Sequence, residues 1–376
     1  MVVTDRHILH KLTYMISRAH KTRIYPTKAQ EVLLSKTVGT ARYAYNWGID
    51  ICEAAYKNGE KHPTGYDLRA KWTSERPEWA YEISVSCVYK AFLNLEGAYK
   101  AFFKKVRQYP KRHKKGVHDT FHVAGDKSSI RGSKVRVPGV GYVKMAETLR
   151  YEDCKINSYV FSRKAGKWYV SIQVELLDDT RTSSDSIVGV DVGIKHWAVA
   201  SDGTVCDSPK SLKHYERQLK RKQRLLARKA KGSKRREKAK LQVQKAYQKI
   251  QNIKLDTIHK FTSTIAKNHG VVVVEDLNVR SMQESENKEI RKGIQNSCMS
   301  EIHRQLLYKC NNCVKVDRFY PSSKTCSNCG NVKENLTLSD RSYHCDSCHT
   351  AIDRDLNAAI NLQRKGLEII SGRSDR

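Results

Sequence analysis

Two Cys-x-x-Cys turns constrain this chain more than any other feature. Between Ser323 and Leu362 it places Cys326 and Cys329, then Cys345 and Cys348, either side of a short polar insert, and opens at once into an Asp-bearing helix. A thiolate in such a turn reaches the same ion as its partner, so two turns complete a tetrahedral four-cysteine site for one Zn2+. Four sulfurs leave no open position for a substrate water, so the expected zinc is structural. Cys310-Asn-Asn-Cys313 is a competing pair whose spacing to Cys326 also permits such a site. It falls at a predicted helix-to-strand junction, whereas Cys345 and Cys348 lie in polar knuckles bordered by Asn, Asp and Ser.

What the zinc site supports is suggested by charge. The 376 residues carry 70 Lys and Arg against 39 Asp and Glu, a formal charge of +31. That imbalance predicts a polyanionic partner, with nucleic acid ahead of a membrane surface. No run approaches a spanning helix, and no signal-peptide core precedes a cleavage site. The remaining cysteines form no disulfide-like framework, which suits a reducing cytosol. The length allows two or three domains.

Taken in order, residues 1–20 read as an ordinary tail or as an extension upstream of a functional start near Met15. Arg23-Ile24-Tyr25 is a short strand stopped by Pro26. Thr27 then caps a helix, with Gln30 completing a capping box. Val32, Leu33, Val38 and Tyr43 are expected to face a core. Residues 46–111 are helical, ending in a cationic run that includes Lys104, Lys105, Arg107, Lys111 and Arg112, which could line a phosphate backbone. Trp168, Val170, Ile172, Val174 and Leu176 alternate with polar residues as a half-buried strand, paired through a turn at Ala165-Gly166 with Val160-Phe161. Asp178 to Asp185 reads as a linker.

A second topology begins at Ser186. Ile187 to Val192 is an apolar strand interrupted by Gly189 and one carboxylate, Asp191; Trp197 to Ala200 returns beside it. A charge inside an apolar strand is costly unless it is paired or binds a metal. Residues 208–268 read as a helical hairpin broken at Gly232-Ser233. Its basic faces, including Lys220, Arg221, Lys222, Arg224 and Arg228, suit nucleic acid, and a partial apolar stripe includes Leu225, Tyr247 and Ile250. Val271 to Val274 is a buried strand, with Glu275 and Asp276 at its C-terminal end, where ligands bind in α/β sheets. Helical residues 297–311 lead to a last strand, Val314 to Phe319. After the cysteines, Asp353 suits the N-cap of the final helix and Asp355 its first turn, while Ala358 and Ala359 let that helix lie close against a sheet.

A strand hairpin, a helix, a parallel strand and a terminal helix follow the element order of an RNase H-like sheet. Asp191, Glu275 and Asp355 would converge at one edge of it. Converging carboxylates repel and need cations; two Mg2+ ions would suit phosphodiester hydrolysis, Asp191 bridging both, Glu275 and Asp355 each holding one side. No Ser/His/Asp grouping or P-loop competes with this site.

GVDVG around Asp191, VVVVEDLNV around Glu275, PSSKTCSNCG and DRDLNAAINL resemble the TnpB family, RNA-guided nucleases encoded by insertion sequences; RIYPT and ARYAYNWGI resemble its N-terminus. The resemblance is most specific over residues 186–362. It implies an α/β multidomain chain with a RuvC-like, RNase H-like core carrying helical and zinc-ribbon insertions, and an N-terminal oligonucleotide-binding-like β-barrel carrying a helical insertion. The implied parts are a wedge barrel over 21–45 and 112–182, a recognition lobe over 46–111, the nuclease core over 183–207, 269–320 and 350–376, the basic insertion over 208–268 and the ribbon over 321–349. A guide RNA from the element's end would pair with double-stranded DNA beside a short adjacent motif, and Asp191, Glu275 and Asp355 would cut it, in a prokaryotic cytoplasm at the nucleoid. Type V CRISPR effectors share such a core. A nuclease-inactive repressor would be expected to have lost an acid, a DDE transposase would order its acids Asp, Asp, Glu, and a plain architectural binder would leave the three acids unexplained.

Overall fold

The computed structural model describes residues 15–177, 184–284, 287–337 and 340–372. It divides into two compact units, residues 1–179 and 180–376. In the first, β1 (Met15–Tyr25), α1 (Lys28–Lys57), α2 (Gly65–Glu75) and α3 (Tyr89–Phe103) precede the strands β2 (Thr120–Ala124), β3 (Ile130–Arg131), β4 (Lys134–Val137), β5 (Gly141–Met145), β6 (Lys155–Lys164) and β7 (Lys167–Leu177). The strands form one seven-stranded antiparallel sheet in the order β2-β6-β7-β1-β5-β4-β3.

Local chemistry explains most of this unit. Thr27 accepts from the Gln30 N–H and Gln30 Oε1 accepts from the Thr27 N–H, the two halves of the expected capping box. Ala165 and Gly166 both take positive φ, 48° and 75°, the tight two-residue turn whose twist matches β6 and β7. Trp168, Val170, Ile172 and Val174 are buried as the alternation requires.

Several expectations need correction. Residues 15–20 are strand rather than tail, because β1 pairs with β7 from Met15 to Ile24; residues 1–14 lie outside the described residues. The division at 45/46 falls inside α1, which runs unbroken to Lys57. The buried stripe of α1 is Leu34, Val38, Ala41, Tyr45 and Ile49, so Val32 and Tyr43 lie off it and are exposed; Tyr43 meets the Trp79 ring edge-on at 5.1 Å. Of the expected linker, 178–183 lie outside the described residues, while Ser184 and Ser186 each donate a hydroxyl to the Asn268 carbonyl.

In the second unit, β8 (Ile187–Asp191), β9 (Ala198–Ala200) and β10 (Val205–Cys206) are followed by α4 (Ser211–Ala227), α5 (Lys234–Asn268), β11 (Val271–Glu275), α6 (Val279–Met282), α7 (Lys288–Ser297), α8 (Met299–Lys309) and β12 (Asn312–Val316). The small hairpin β13 (Ser342–His344) and β14 (Ala351–Asp353) leads into α9 (Arg354–Ser371). The sheet order is β10-β9-β8-β11-β12, with β8, β11 and β12 parallel and β9 antiparallel to β8. Alternation splits its side chains between two layers. Val188, Val190, Val272 and Val274 pack with Ile258, Ile265, Ile302 and Leu306 of α5 and α8. Val273 and Val316 pack on the other face, against Leu362 of α9.

Two bounds shift here. The last strand is Asn312–Val316 rather than Val314 to Phe319, because the chain turns at Asp317, whose carboxylate accepts from the Phe319 N–H at 2.8 Å. The hairpin breaks where expected: Gly232 takes φ +83° and Ser233 caps α5. Of the expected apolar stripe Ile250 is buried, continued by Val243, Ala246 and Ile258, while Leu225 and Tyr247 are exposed.

Gly189 sets how closely α9 approaches the sheet. A Cβ there would stand 2.0 Å from the Ala359 carbonyl oxygen and 2.6 Å from the Gln363 nitrogen. Neither backbone atom can yield without moving the helix. Gly189→Ala is therefore expected to cost about 3 kcal/mol or more in denaturant unfolding of the full-length chain, with DNA cleavage falling alongside. Wild-type stability would mean that the helix is not seated on this glycine.

Candidate active site

The contact at Gly189 also brings two acids together. Asp191 lies two residues further along β8, on the same face, and Asp355 lies one turn before Ala359 on α9. The third acid comes from the neighbouring parallel strand. Val274 pairs with Val190, so Glu275 extends β11 by the same step as Asp191 extends β8. All three carboxylates are half-buried. Burial pushes the Asp191 carboxyl up to about 8, with the charges of Glu275 and Asp355 adding to the shift and Arg354 opposing it. Burial also raises Glu275, against the lowering effect of the Ser322 hydroxyl, which donates to Glu275 Oε1. Asp353 is the N-cap, its Oδ1 accepting from the N–H groups of Asp355 at 2.9 Å and Leu356 at 3.2 Å. Asp355 therefore sits in the first turn, where the helix dipole favours an anion. Asp276 is set apart: its oxygens accept from Lys315 at 3.2 Å and Arg318 at 3.1 Å, which holds its carboxyl below the usual range.

Three mutually repelling carboxylates at strand and helix ends form a hard-oxygen donor set that suits Mg2+. Among the described residues only the cysteine cluster has its ligand atoms all within 4.8 Å of one another, so the three acids stand wider than the shell of one shared ion.

That cluster is Cys326, Cys329, Cys345 and Cys348. Its sulfurs approach to 3.6 Å (Cys326 to Cys348) and 3.5 Å (Cys329 to Cys345), far from a disulfide and near the edge of a Zn–S tetrahedron, about 3.8 Å for 2.3 Å bonds. Two matching knuckles present them. Gly330 (φ +80°) donates to the Cys326 carbonyl, and His349 (φ +58°) donates to the Cys345 carbonyl. The Thr350 hydroxyl, 3.1 Å from the Cys348 sulfur, and its N–H hold that thiol down to about 5, favouring the thiolate. The four sulfurs could thus hold zinc. Cys310 and Cys313 stand at the α8–β12 junction with thiols pushed up by burial to about 12 and 11, the environment of inert thiols.

Residues without a sequence forecast join the knuckles to α9. Asn357 donates to the Thr325 carbonyl at 2.7 Å and accepts from the Ser327 N–H at 2.9 Å; Asn361 donates to the carbonyls of Ser322 at 2.8 Å and Thr325 at 2.6 Å. Their only signal was an i, i+4 pair of Asn inside an otherwise apolar helix face.

Of the candidate phosphate contacts, Lys220, Arg221, Arg224 and Arg228 are exposed on or just after α4 and Lys222 is half-buried. Lys104, Lys105, Arg107 and Lys111 are also exposed. Arg112 is exposed as well, its guanidinium paired with Asp50 and with Glu53 at 3.5 Å. A Ser/His/Asp grouping, not expected from the sequence, does form. Ser186 Oγ lies 3.1 Å from His269 Nδ1, and Asp202 Oδ2 lies 3.0 Å from His269 Nε2. The serine hydroxyl also donates to the Asn268 carbonyl at 3.0 Å, so the group ties the start of β8 to the end of α5 and offers no free nucleophile.

Residues 170–286 match a family model described as “Probable transposase”, and residues 300–362 one described as “Cas12f1-like, TNB domain”. A third model, described as “Helix-turn-helix domain”, matches residues 15–61, which here form a strand and one continuous helix. A Streptomyces pristinaespiralis protein named “Putative RNA-guided DNA endonuclease” is 30% identical over 94% of this chain and 90% of its own length. The chain belongs to the TnpB family. The Escherichia coli (strain K12) relative with the suffix InsQ to that same name is 29% identical to this TnpB-family chain, over 94% of it and 93% of the relative. The fold resembles Cas12f1 as seen in its complex with sgRNA and target DNA, with a TM-score of 0.58 at 14% identity, covering 93% of this chain and 99% of that one.

Proposed function

We propose that this TnpB-family chain is an RNA-guided DNA endonuclease, cutting phosphodiester bonds with Asp191, Glu275 and Asp355. The observation that carries this reading is the placement of three carboxylates by the β8–β11 register and the Gly189 contact, where burial first, and then the charges of Glu275 and Asp355, raise the Asp191 carboxyl to about 8. A nuclease-inactive repressor has no need to keep such a costly cluster. The sheet order β10-β9-β8-β11-β12, with β9 antiparallel, supports a RuvC-like core, and the seven-stranded sheet supports an oligonucleotide-binding-like wedge. The Cas12f1 likeness and the +31 charge support guide RNA and duplex DNA as partners, and a guide transcribed from the element's end is part of the proposal. No helix among the described residues is long and apolar enough to cross a membrane, and no disulfide links the eleven cysteines; action at the nucleoid is part of the proposal.

Asp191, Glu275 and Asp355 would together hold Mg2+. Bound Mg2+ would supply an activated water and stabilise the departing oxyanion. The chain's own contribution is placement. The β8–β11 register fixes Asp191 beside Glu275, and the Gly189 contact fixes the turn of α9 that carries Asp355. The exposed cations of α4 would hold the phosphate backbone. The test is to sequence RNA copurified with the full-length chain and to challenge that complex with a plasmid library randomised beside a guide-matched target. A discrete RNA and motif-dependent cleavage in Mg2+ are expected. Cleavage that ignores the guide, or none with any motif, would leave only a polyanion binder.

A further inference from the structure

We infer that Ser322 is a positioning residue for Glu275, and that through it the zinc-knuckle segment sets the geometry of the acidic cluster. The inference rests on the reading of the three acids as metal ligands and adds one residue behind them. Ser322 lies between β12 and the first knuckle, 5% exposed, and its hydroxyl donates to Glu275 Oε1. A glutamate has three side-chain torsions to fix, and a donor on one oxygen restricts them and leaves the other oxygen to face an ion.

The serine itself is held from behind. Its carbonyl accepts from Asn361 Nδ2, and Asn357 and Asn361 also bind the Thr325 carbonyl. Both asparagines are fully buried on α9, the helix that carries Asp355. Glu275 and Asp355, supplied by elements distant in sequence, are thus tied to each other by a continuous path through Ser322, Asn361 and the helix backbone. Arg364 adds a bond to the Ser327 carbonyl at 2.6 Å, so the first knuckle is clamped at three points along one helix. A serine that merely satisfied its own burial could bond any nearby carbonyl; this one spends its hydroxyl on the acid.

The experiment compares full-length wild type with Ser322→Ala, Ser322→Thr and Glu275→Ala. Mn2+ affinity of the RNA-free chain is read from the EPR signal of the free ion, and the Mg2+ concentration for half-maximal cleavage from the RNA complex. Ser322→Ala is expected to weaken both by about 10–100-fold, with Ser322→Thr, which keeps the hydroxyl, within about threefold of wild type. Zinc content should be unchanged in every variant. If Ser322→Ala keeps wild-type Mn2+ affinity while Glu275→Ala loses it, the positioning role fails and the acid trio stands. If Glu275→Ala also binds Mn2+ and cuts as wild type does, the trio itself fails. Zinc loss in both serine variants would assign the residue to the fold of the knuckles and overturn the inference.

Discussion

Asp191→Ala is expected to lower DNA cleavage by roughly 10³-fold or more, about 4 kcal/mol of barrier, while guide RNA binding stays near wild type. The size follows from position: Asp191 is buried and feels the charges of both Glu275 and Asp355, so its loss takes a ligand from the centre of the proposed metal site. The isosteric Asp191→Asn separates this effect from folding. Asp191 titrates near 8 in the folded chain against about 3.9 when unfolded. With the folded pKa raised, the folded state holds its proton longer, so the stability contribution is largest below about pH 4 and is lost as pH rises toward 8. In metal-free buffer at pH 8, Asp191→Asn should therefore melt above wild type. Discounted for the water that reaches a half-buried group, the gain is on the order of 1 kcal/mol, or ~2–4 °C for a unit of this size. Added Mg2+ should stabilise wild type and leave Asp191→Asn nearly unmoved. Undiminished cutting, or a variant less stable than wild type at pH 8 without metal, would remove Asp191 from the site.

The acids were legible because each breaks a local rule. Asp191 interrupts an apolar strand, Glu275 ends a run of four valines, and Asp355 follows an N-cap. The cysteine spacing was legible for the same reason: it encodes a short-range turn. What escaped depends on long-range geometry. Ser322, Asn357 and Asn361 look like ordinary loop and helix polar residues until the knuckle is laid on α9. The pairing of Arg112 with Asp50 and Glu53 likewise appears only once folding brings them together. Ser186, His269 and Asp202 are scattered through 84 residues and meet only at a sheet edge. Helical period in α1 and α5 predicted an apolar face but misjudged its centre, because two or three stripes of comparable hydrophobicity compete until a partner surface selects one.

Replacing Cys326 and Cys329 together by Ser is expected to remove the zinc, taking metal analysis from about one equivalent per chain to none, and to lower cleavage by at least about 10–100-fold. The reason lies in how little else holds the knuckles. Their core is Cys326, Tyr343 and Cys345 with Leu336, Cys348 and Ile352 around them, too few apolar groups to offset the ordering of some thirty residues. Metal binding must supply the balance, and structural zinc can supply ~10–16 kcal/mol. Without it the Tyr343 hydroxyl loses the Lys324 and Asn331 carbonyls that it bridges at 3.1 and 3.3 Å. Thr325 and Ser327 then no longer meet Asn357 and Asn361, which leaves buried amide groups unpaired on the helix that carries Asp355, each costing about 1–3 kcal/mol. The paired control is Cys310→Ser with Cys313→Ser. It should keep the full zinc equivalent and cost only stability, since these thiols pack at the α8–β12 junction. Zinc that survives the Cys326 and Cys329 replacements but leaves with Cys310 and Cys313 would reverse the assignment, and the path from knuckle to acid would then have no metal anchoring its far end.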